Sequence, residues 1–415
     1  MSSAPIRSNG TAQARLKKRY AAERRFRLLG LGAVALSCAF LAFLLITMAW
    51  KGLGGFTRTE VKLAIDFPRS DLLLDPAALR APGGAQVIAS ANLEGPIGQA
   101  AVTAYGEDAS ELFGAAAVRA LGKALLADPT LLSRRAELWL PAGSAVDIAA
   151  KGEGNQQAEQ LSASIQDAGA LRLRFNLDFL TQSDATDPSA VGVWGALKGS
   201  FLTIVVTIAL AFPIGVLAAL YLEEFAPRNR WTDLIEVSIN NLAAVPSIIF
   251  GLLGLAVFLN FMHLPRSAPL VGGLTLALMT MPVIVIAGRN AITSVPPSIR
   301  DAALGVGASK MQVVFHHVLP LALPGILTGT IIGVARALGE TAPLLMIGMR
   351  AFIANPPQGI TEPASVLPVQ IFLWSDEVDR GFVEKTSAAI IVLLIFMLLM
   401  NGLAIYLRNR FERRW

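Results

Sequence analysis

At 415 residues, with 54% hydrophobic and 16% charged side chains, the chain is too apolar for an ordinary soluble protein and long enough for several structural units. Its net charge of +5 is modest, but eight Lys/Arg fall in the first 27 residues and four in the last eight, a distribution that orients a membrane protein and argues against nucleic acid as a partner. The single cysteine, Cys38, excludes an intramolecular disulfide and a cysteine metal cluster.

In chain order, residues 1–27 form a basic cytoplasmic tail and residues 28–50 a charge-free apolar run. That run is too long for the core of a signal peptide and about the ~20 residues a bilayer span needs, so it predicts an uncleaved first span with the N-terminus inside. From 51 to 190 the composition turns globular. Alternation predicts strands over Val61–Phe67 and Leu171–Leu177, and periodicity predicts helices over Ser110–Ala127 and Gln156–Asp167. The expectation is an extracytoplasmic α/β domain. It holds no histidine and no carboxylate spacing that names a reaction, which favours a structural or docking role over catalysis.

Five more apolar segments follow, near 195–222, 237–261, 270–290, 321–348 and 386–408. Together with the first they predict a polytopic α-helical membrane protein of six spans, with a core over 191–408 and a basic cytoplasmic tail over 409–415. With the N-terminus inside, the connections 223–236 and 291–320 are cytoplasmic, and Arg228, Arg230, Arg410, Arg413 and Arg414 fall where the positive-inside rule wants them. The outer connection 349–385 is half apolar and is compatible with a re-entrant or interfacial helix.

The stretch Ser298–Pro320 predicts a helix, a turn and a second helix. Ser298 and Asp301 have near capping-box spacing, Gly307 suits a left-handed helix end, and Ser309 with Gln312 repeats the box. The second helix would carry Met311, Val314, Phe315 and Val318 on one face and stop before Pro320. An apolar face with no partner in its own stretch is either a membrane-surface element or a docking element.

Residues 301–320 resemble the EAA loop of ABC importer permeases: Asp301-Ala302-Ala303, three residues, Gly307, eleven residues, Leu319-Pro320. Asp301 replaces the usual Glu, and His317 stands where Ile is usual. The stretches 241–252 (NLAAVPSIIFGL) and 336–345 (RALGETAPLL) are similar to two signature stretches of phosphate-specific ABC transporter permeases of the PstA type, and the first span plus 51–190 resemble an extension found in part of that family. The resemblance covers 194–408. It implies the fold of a type I ABC importer permease with an extracytoplasmic extension, in the bacterial plasma (inner) membrane. It assigns Asp301, Ala302, Ala303, Gly307, Leu319 and Pro320 to coupling with an ATPase.

The residues themselves point to an anion path. Arg336 and Glu340 fall four apart on one apolar span, with Thr341 beside them. A charge near mid-bilayer costs about 2.5–3.5 kcal/mol on insertion scales and is retained when it pairs or lines a polar path. A guanidinium fork suits an oxyanion, and Glu340 could hold that fork when no anion is present. The alternative is a static ion pair locking two helices. Arg289 with Asn290 is expected to snorkel to the cytoplasmic surface. Pro246, Pro282 and Pro343 lie inside expected spans, where they permit bends. His316 and His317 are expected to make surface contacts rather than bind metal.

The chain has no G-x-x-x-x-G-K-[ST] stretch, so it carries no P-loop. The resemblance implies a non-enzymatic membrane subunit that binds no cofactor, acting in the lipid bilayer with a second, different permease subunit, two ATPase subunits that hold ATP and Mg, and an external phosphate-binding protein. Competing expectations are a permease for another oxyanion (sulfate, molybdate or a phosphonate) and a membrane-anchored sensor whose loop recruits a signalling protein.

Overall fold

The computed structural model describes residues 10–70, 72–107, 109 and 112–411. The first part of the basic tail, Arg413 and Arg414, and residues 110 and 111 at the expected start of a helix lie outside the described residues. The chain divides between Lys51 and Gly52 into two compact units.

Helix α1, Gly10–Gly55, carries the expected first span and extends it at both ends. The basic segment before the span is helical from Gly10 because residues 11–29 contain neither Gly nor Pro and are rich in Ala, Arg, Lys and Leu.

Beyond α1, a three-stranded sheet forms in the order β2-β1-β3. Central β1, Thr57–Asp66, pairs antiparallel with β2, Arg135–Pro141 (Leu63 opposite Leu138), and with β3, Leu171–Phe175 (Thr59 opposite Leu173). Alternation along β1 puts Val61, Leu63 and Ile65 into the core. Around the sheet run α2 (Pro76–Arg80), α3 (Gly84–Ser90), α4 (Glu94–Tyr105), α5 (Ala115–Ala127), α6 (Ser144–Ala150), α7 (Gln156–Asp167) and α8 (Leu177–Thr181). Helix α5 begins later than expected, at Ala115, where the Asp187 carboxylate accepts a hydrogen bond from Ala115 N at 2.6 Å. Helix α7 has the expected bounds because Asn155 caps it through Ala158 N.

This region is tied to the last helix of the chain by a buried ionic cluster. Lys151 Nζ donates to Asp147 Oδ2 (2.8 Å), Glu384 Oε2 (2.9 Å), Gly54 O (2.9 Å) and Thr57 O (3.1 Å), while Asp147 Oδ1 accepts from Thr59 N at 2.7 Å. Trp374 Nε1 adds a hydrogen bond to Asp184 Oδ1 at 3.0 Å. Burial pushes the Asp184 carboxyl up, against the opposing hydrogen bond from Trp374.

The membrane core is built from α9 (Trp194–Leu220), the bent pair α10 (Arg230–Ala243) and α11 (Ser247–Gly254), α12 (Pro269–Thr293), the loop helices α13 (Pro297–Gly305) and α14 (Lys310–Gln312), α15 (Leu319–Gly339), α16 (Ala342–Met346), α17 (Leu367–Ser375) and α18 (Gly381–Phe411). Five helical stretches among the described residues are long and apolar enough to span a membrane, or up to six with the bent pair. Helix α12 packs against both α9 and α15. Gly325, Gly329 and Gly333 form a stripe on α15, where added Cβ atoms would collide with Ala291, Ala287 and Thr280 of α12.

Two expected spans are corrected. The segment 237–261 is no straight helix: it breaks at Ala244–Pro246 and bends by 101°. Pro246 lacks the N–H that would bond the carbonyl of Leu242. The segment 321–348 ends as a helix at Gly339, and Glu340 is extended. There Pro343 lacks the N–H that would bond the Gly339 carbonyl and carry the helix on. Pro343 therefore opens the short α16 rather than sitting inside a span, whereas Pro282 does lie within unbroken α12. The connection 349–385 contains α17, with Leu367, Val369 and Trp374 buried.

Candidate functional site: a capped helical loop and an arginine–glutamate pair

Helix α13 opens on Pro296 and Pro297, and Ser298 makes no capping bond. Proline at the first helical position has its torsion preset, so Ser298 falls inside the first turn, two places past the cap. Gly307 has φ +89°. Its N–H donates to Leu304 O at 2.9 Å and that of Ala308 to Ala303 O at 3.1 Å, the paired bonds of a Schellman end. Ser309 and Gln312 then form a complete capping box. From Lys310 a single helical path passes through a π turn, Val313–Val318, into α15.

The expected stop before Pro320 is thus overturned. Leu319 and Pro320 lie in the first turn of α15, and the wider turn before them accommodates a residue without an N–H. The four side chains expected on one face divide. Val314 and Val318 are buried in a cluster with Ala303, whereas Met311 and Phe315 are 56% and 40% exposed. Leu304 and Val306 are also exposed, and so are Asp301, Ala302, His316 and His317. The loop therefore presents a partly apolar surface around a buried Ala303.

Three consecutive residues after α9, which sequence reasoning did not single out, hold this loop. Glu223 accepts from Arg289 Nε at 3.3 Å; Glu224 accepts from Arg300 Nε and Nη2 at 3.1 and 2.8 Å; and Lys310 Nζ lies 5.1 Å from the centroid of the Phe225 ring. Arg300 also donates to Val295 O and Ile292 O at the end of α12. Arg289, expected to snorkel, is half-buried and clamped, its second partner being Glu236 of α10 at 2.8 Å. The available signal was Glu223-Glu224-Phe225 at the end of an apolar segment whose neighbours carry lone arginines.

The second region lies at the far end of α15. Arg336 Nε is 3.3 Å from Glu340 Oε1, so the expected pair is formed. The expected shared helix face is not its cause, because the helix stops one residue before Glu340. At 1.5 Å per residue Arg336 lies about 25 Å along the axis from Leu319, near the end of the helix rather than at mid-length. Its side chain is 49% exposed, that of Glu340 20%, and Thr341 is half-buried at the start of α16. The two signature stretches meet here: a Cβ on Gly251 would lie 2.6 Å from Pro343 Cα, and Phe250, Leu344 and Ile347 share one core cluster. The pair stands on a backbone break braced by the bent α10–α11 element.

Residues 211–415 match the family model described as binding-protein-dependent transport system inner membrane component, and residues 13–160 match a domain of unknown function, DUF3333. The chain is 31% identical over 211 residues to a probable ABC transporter permease protein, YqgI, of Bacillus subtilis (48% of this chain, 71% of that protein). It is 30% identical over 226 residues to the phosphate transport system permease protein PstA of Haemophilus influenzae (54% and 79%). It is 31% identical over 207 residues to a Mycobacterium tuberculosis PstA 1 (50% and 67%). Among solved structures, a chain of the MetNI methionine ABC transporter aligns with a TM-score of 0.44 at 18% identity, covering 53% of this chain and 98% of that one.

Proposed function

The chain belongs to the inner-membrane components of binding-protein-dependent transport systems, in the branch of the PstA-type permeases, and on that premise we propose that it is the phosphate-conducting subunit of an ATP-driven importer. The observation that carries this reading furthest is the loop, which joins a partly apolar exposed surface to a rigid mounting on the ends of α9 and α12.

In this reading a separate ATPase, which binds ATP and Mg, receives Leu304, Val306, Met311 and Phe315 in a groove. Closure of two such subunits moves the loop, and α15 transmits the movement because α14, the π turn and α15 are one helical path. Arg336, Glu340 and Thr341 line the anion path, with Glu340 occupying the guanidinium until an anion displaces it. Both termini and the loop face the cytoplasm, and residues 57–181 lie outside, where a phosphate-binding protein docks. A second, different permease subunit completes the pathway.

Uptake of labelled phosphate by the complex reconstituted with its partners tests this. Losing a hydrogen bond to a charged group is worth about 1.5–3 kcal/mol, so Arg336→Ala is expected to lower uptake about 10- to 100-fold. The ATPase should still co-purify; unchanged uptake removes Arg336 from the path. Stimulation of ATP hydrolysis by binding proteins loaded with phosphate, but not by those loaded with sulfate or molybdate, is the expected selectivity. Equal stimulation by sulfate would move the assignment to another oxyanion.

A further inference from the structure

Exposed leucines on the span helices face lipid, but a second apolar group lies outside them. Leu173, Phe175 and Leu177 are 58%, 56% and 61% exposed. One such residue on a soluble surface calls for no account, but these three alternate along the edge strand β3 and its exit. An exposed apolar edge is an aggregation hazard unless something covers it.

Hydrogen bonds fix the level of this edge relative to the spans. Phe175 is paired with Thr57, and Asn176 N donates to Phe56 O at 2.7 Å. Lys151 Nζ bonds both Thr57 O, at 3.1 Å, and Glu384 Oε2 in the first turn of α18, at 2.9 Å. Just before Phe56, Gly54 and Gly55 lie against the same turns of α18, where added Cβ atoms would stand 2.7 Å from Glu384 Oε1 and from Ala388 Cβ. Phe175 is therefore level with Glu384, where α18 passes from charged residues into its apolar run. Leu53, 62% exposed, lies in the turn before Phe56, and Trp194, 44% exposed, opens α9. A tryptophan at a span end marks the interfacial layer.

We propose that the edge formed by Leu173, Phe175 and Leu177 rests in the bilayer surface, so that the partner of this face is lipid. Continuity with the span ends favours lipid over a protein strand or a second copy. The unpaired outer backbone of β3 limits the depth: side chains enter, while N–H and C=O groups stay in the hydrated headgroup layer. The region 57–181 is then held against the membrane at the ionic cluster and at this edge. This placement is independent of which anion is carried.

Nitroxide labelling tests it, because Cys38 is the only cysteine in the chain. In a Cys38→Ser background, Phe175→Cys and, separately, Leu173→Cys are labelled in the full chain, assembled with its ATPase in lipid nanodiscs. Leu73→Cys, at a fully exposed site on the same region, is the water reference, and Leu399→Cys on α18 the lipid reference. The expected result is relaxation by oxygen like the Leu399 label and loss of relaxation by a water-soluble nickel chelate. Nickel access matching the Leu73 label overturns the proposal. Protection from both reagents, which means a protein cover, overturns it too. Labelling at either position decides, so failure of one variant to assemble leaves the other.

Discussion

Gly307 holds φ +89° between two capped helices, and this one torsion sets the angle between α13 and α14. A Cβ in that region costs roughly 1–2 kcal/mol. Gly307→Ala is therefore expected to lower the thermal midpoint of the purified chain and reduce co-purified ATPase, while Gly307→Asn, whose side chain tolerates the left-handed region, is expected to be milder. Equal behaviour of the two variants would mean that the torsion does not matter. Far from the loop, Asp178 lies between Arg58 Nη1 at 2.5 Å and Lys123 Nζ at 3.2 Å. Burial alone would raise its carboxyl, but the hydrogen bonds from Arg58 and Lys123 outweigh burial and hold it below the ordinary 3.8. A depressed carboxyl contributes its stability above the ordinary value and loses it as pH falls through the lowered one. Acid-induced loss of protease resistance in residues 57–193 should accordingly be steeper below about pH 4 in the parent than in Asp178→Asn.

Among the elements, α15 makes its contact with α12 through absence of side chain. Gly325, Gly329 and Gly333 let its backbone approach α12 closely, and without a hydrophobic drive in lipid such contact is what holds two spans together. Gly329→Leu is expected to force the pair apart and to lower assembled complex recovered in mild detergent, whereas Gly339→Leu, with open space beyond its Cα, should not. Gly307, the Ser309–Gln312 box and the strands β1 and β3 were readable, because each depends on neighbours in sequence; the glycine stripe, though it recurs every fourth position, was not singled out. Less local features escaped. The strand β2 exists because β1 has an open edge to pair with, and the grip of Glu223, Glu224 and Phe225 requires knowing that the end of α9 returns to the loop. Pro246 and Pro343 were expected to permit bends, yet hydropathy averages over them, so each segment read as one span that bends rather than as a helix that ends and restarts.

At the scale of the whole molecule, the region around the sheet is joined to α18 rather than tethered by a flexible stalk. Asp147, Lys151 and Glu384 are each nearly buried, and removing the cation takes from both carboxylates the ammonium they share, leaving buried Lys385 as the remaining cation near them. Lys151→Met is expected to destabilise the chain by about 3–5 kcal/mol, seen as a lowered thermal midpoint and as new protease cleavage between 142 and 193. Adding Glu384→Gln to Lys151→Met should recover part of the loss, since one uncompensated charge is gone. A purely additive effect of the two changes would show that the cluster does not act as a unit.

Glu223, Glu224 and Phe225 grip Arg289, Arg300 and Lys310, one on each of three different segments. Three fixings that do not share a line leave a body no axis to rock about. The loop and the ends of α9 and α12 must then shift as one stiff block when pushed. The 101° elbow between α10 and α11 is held differently, by the Glu236–Arg289 ion pair on its α10 limb and by apolar packing of Val245 at its corner, and its α11 limb lies against the break beside Arg336. On the function proposed above, a thrust at the loop would reach the Arg336–Glu340 pair as a flexing of that elbow, which makes Val245 and Pro246, rather than any residue of the loop, the place to stiffen the path without loosening the loop.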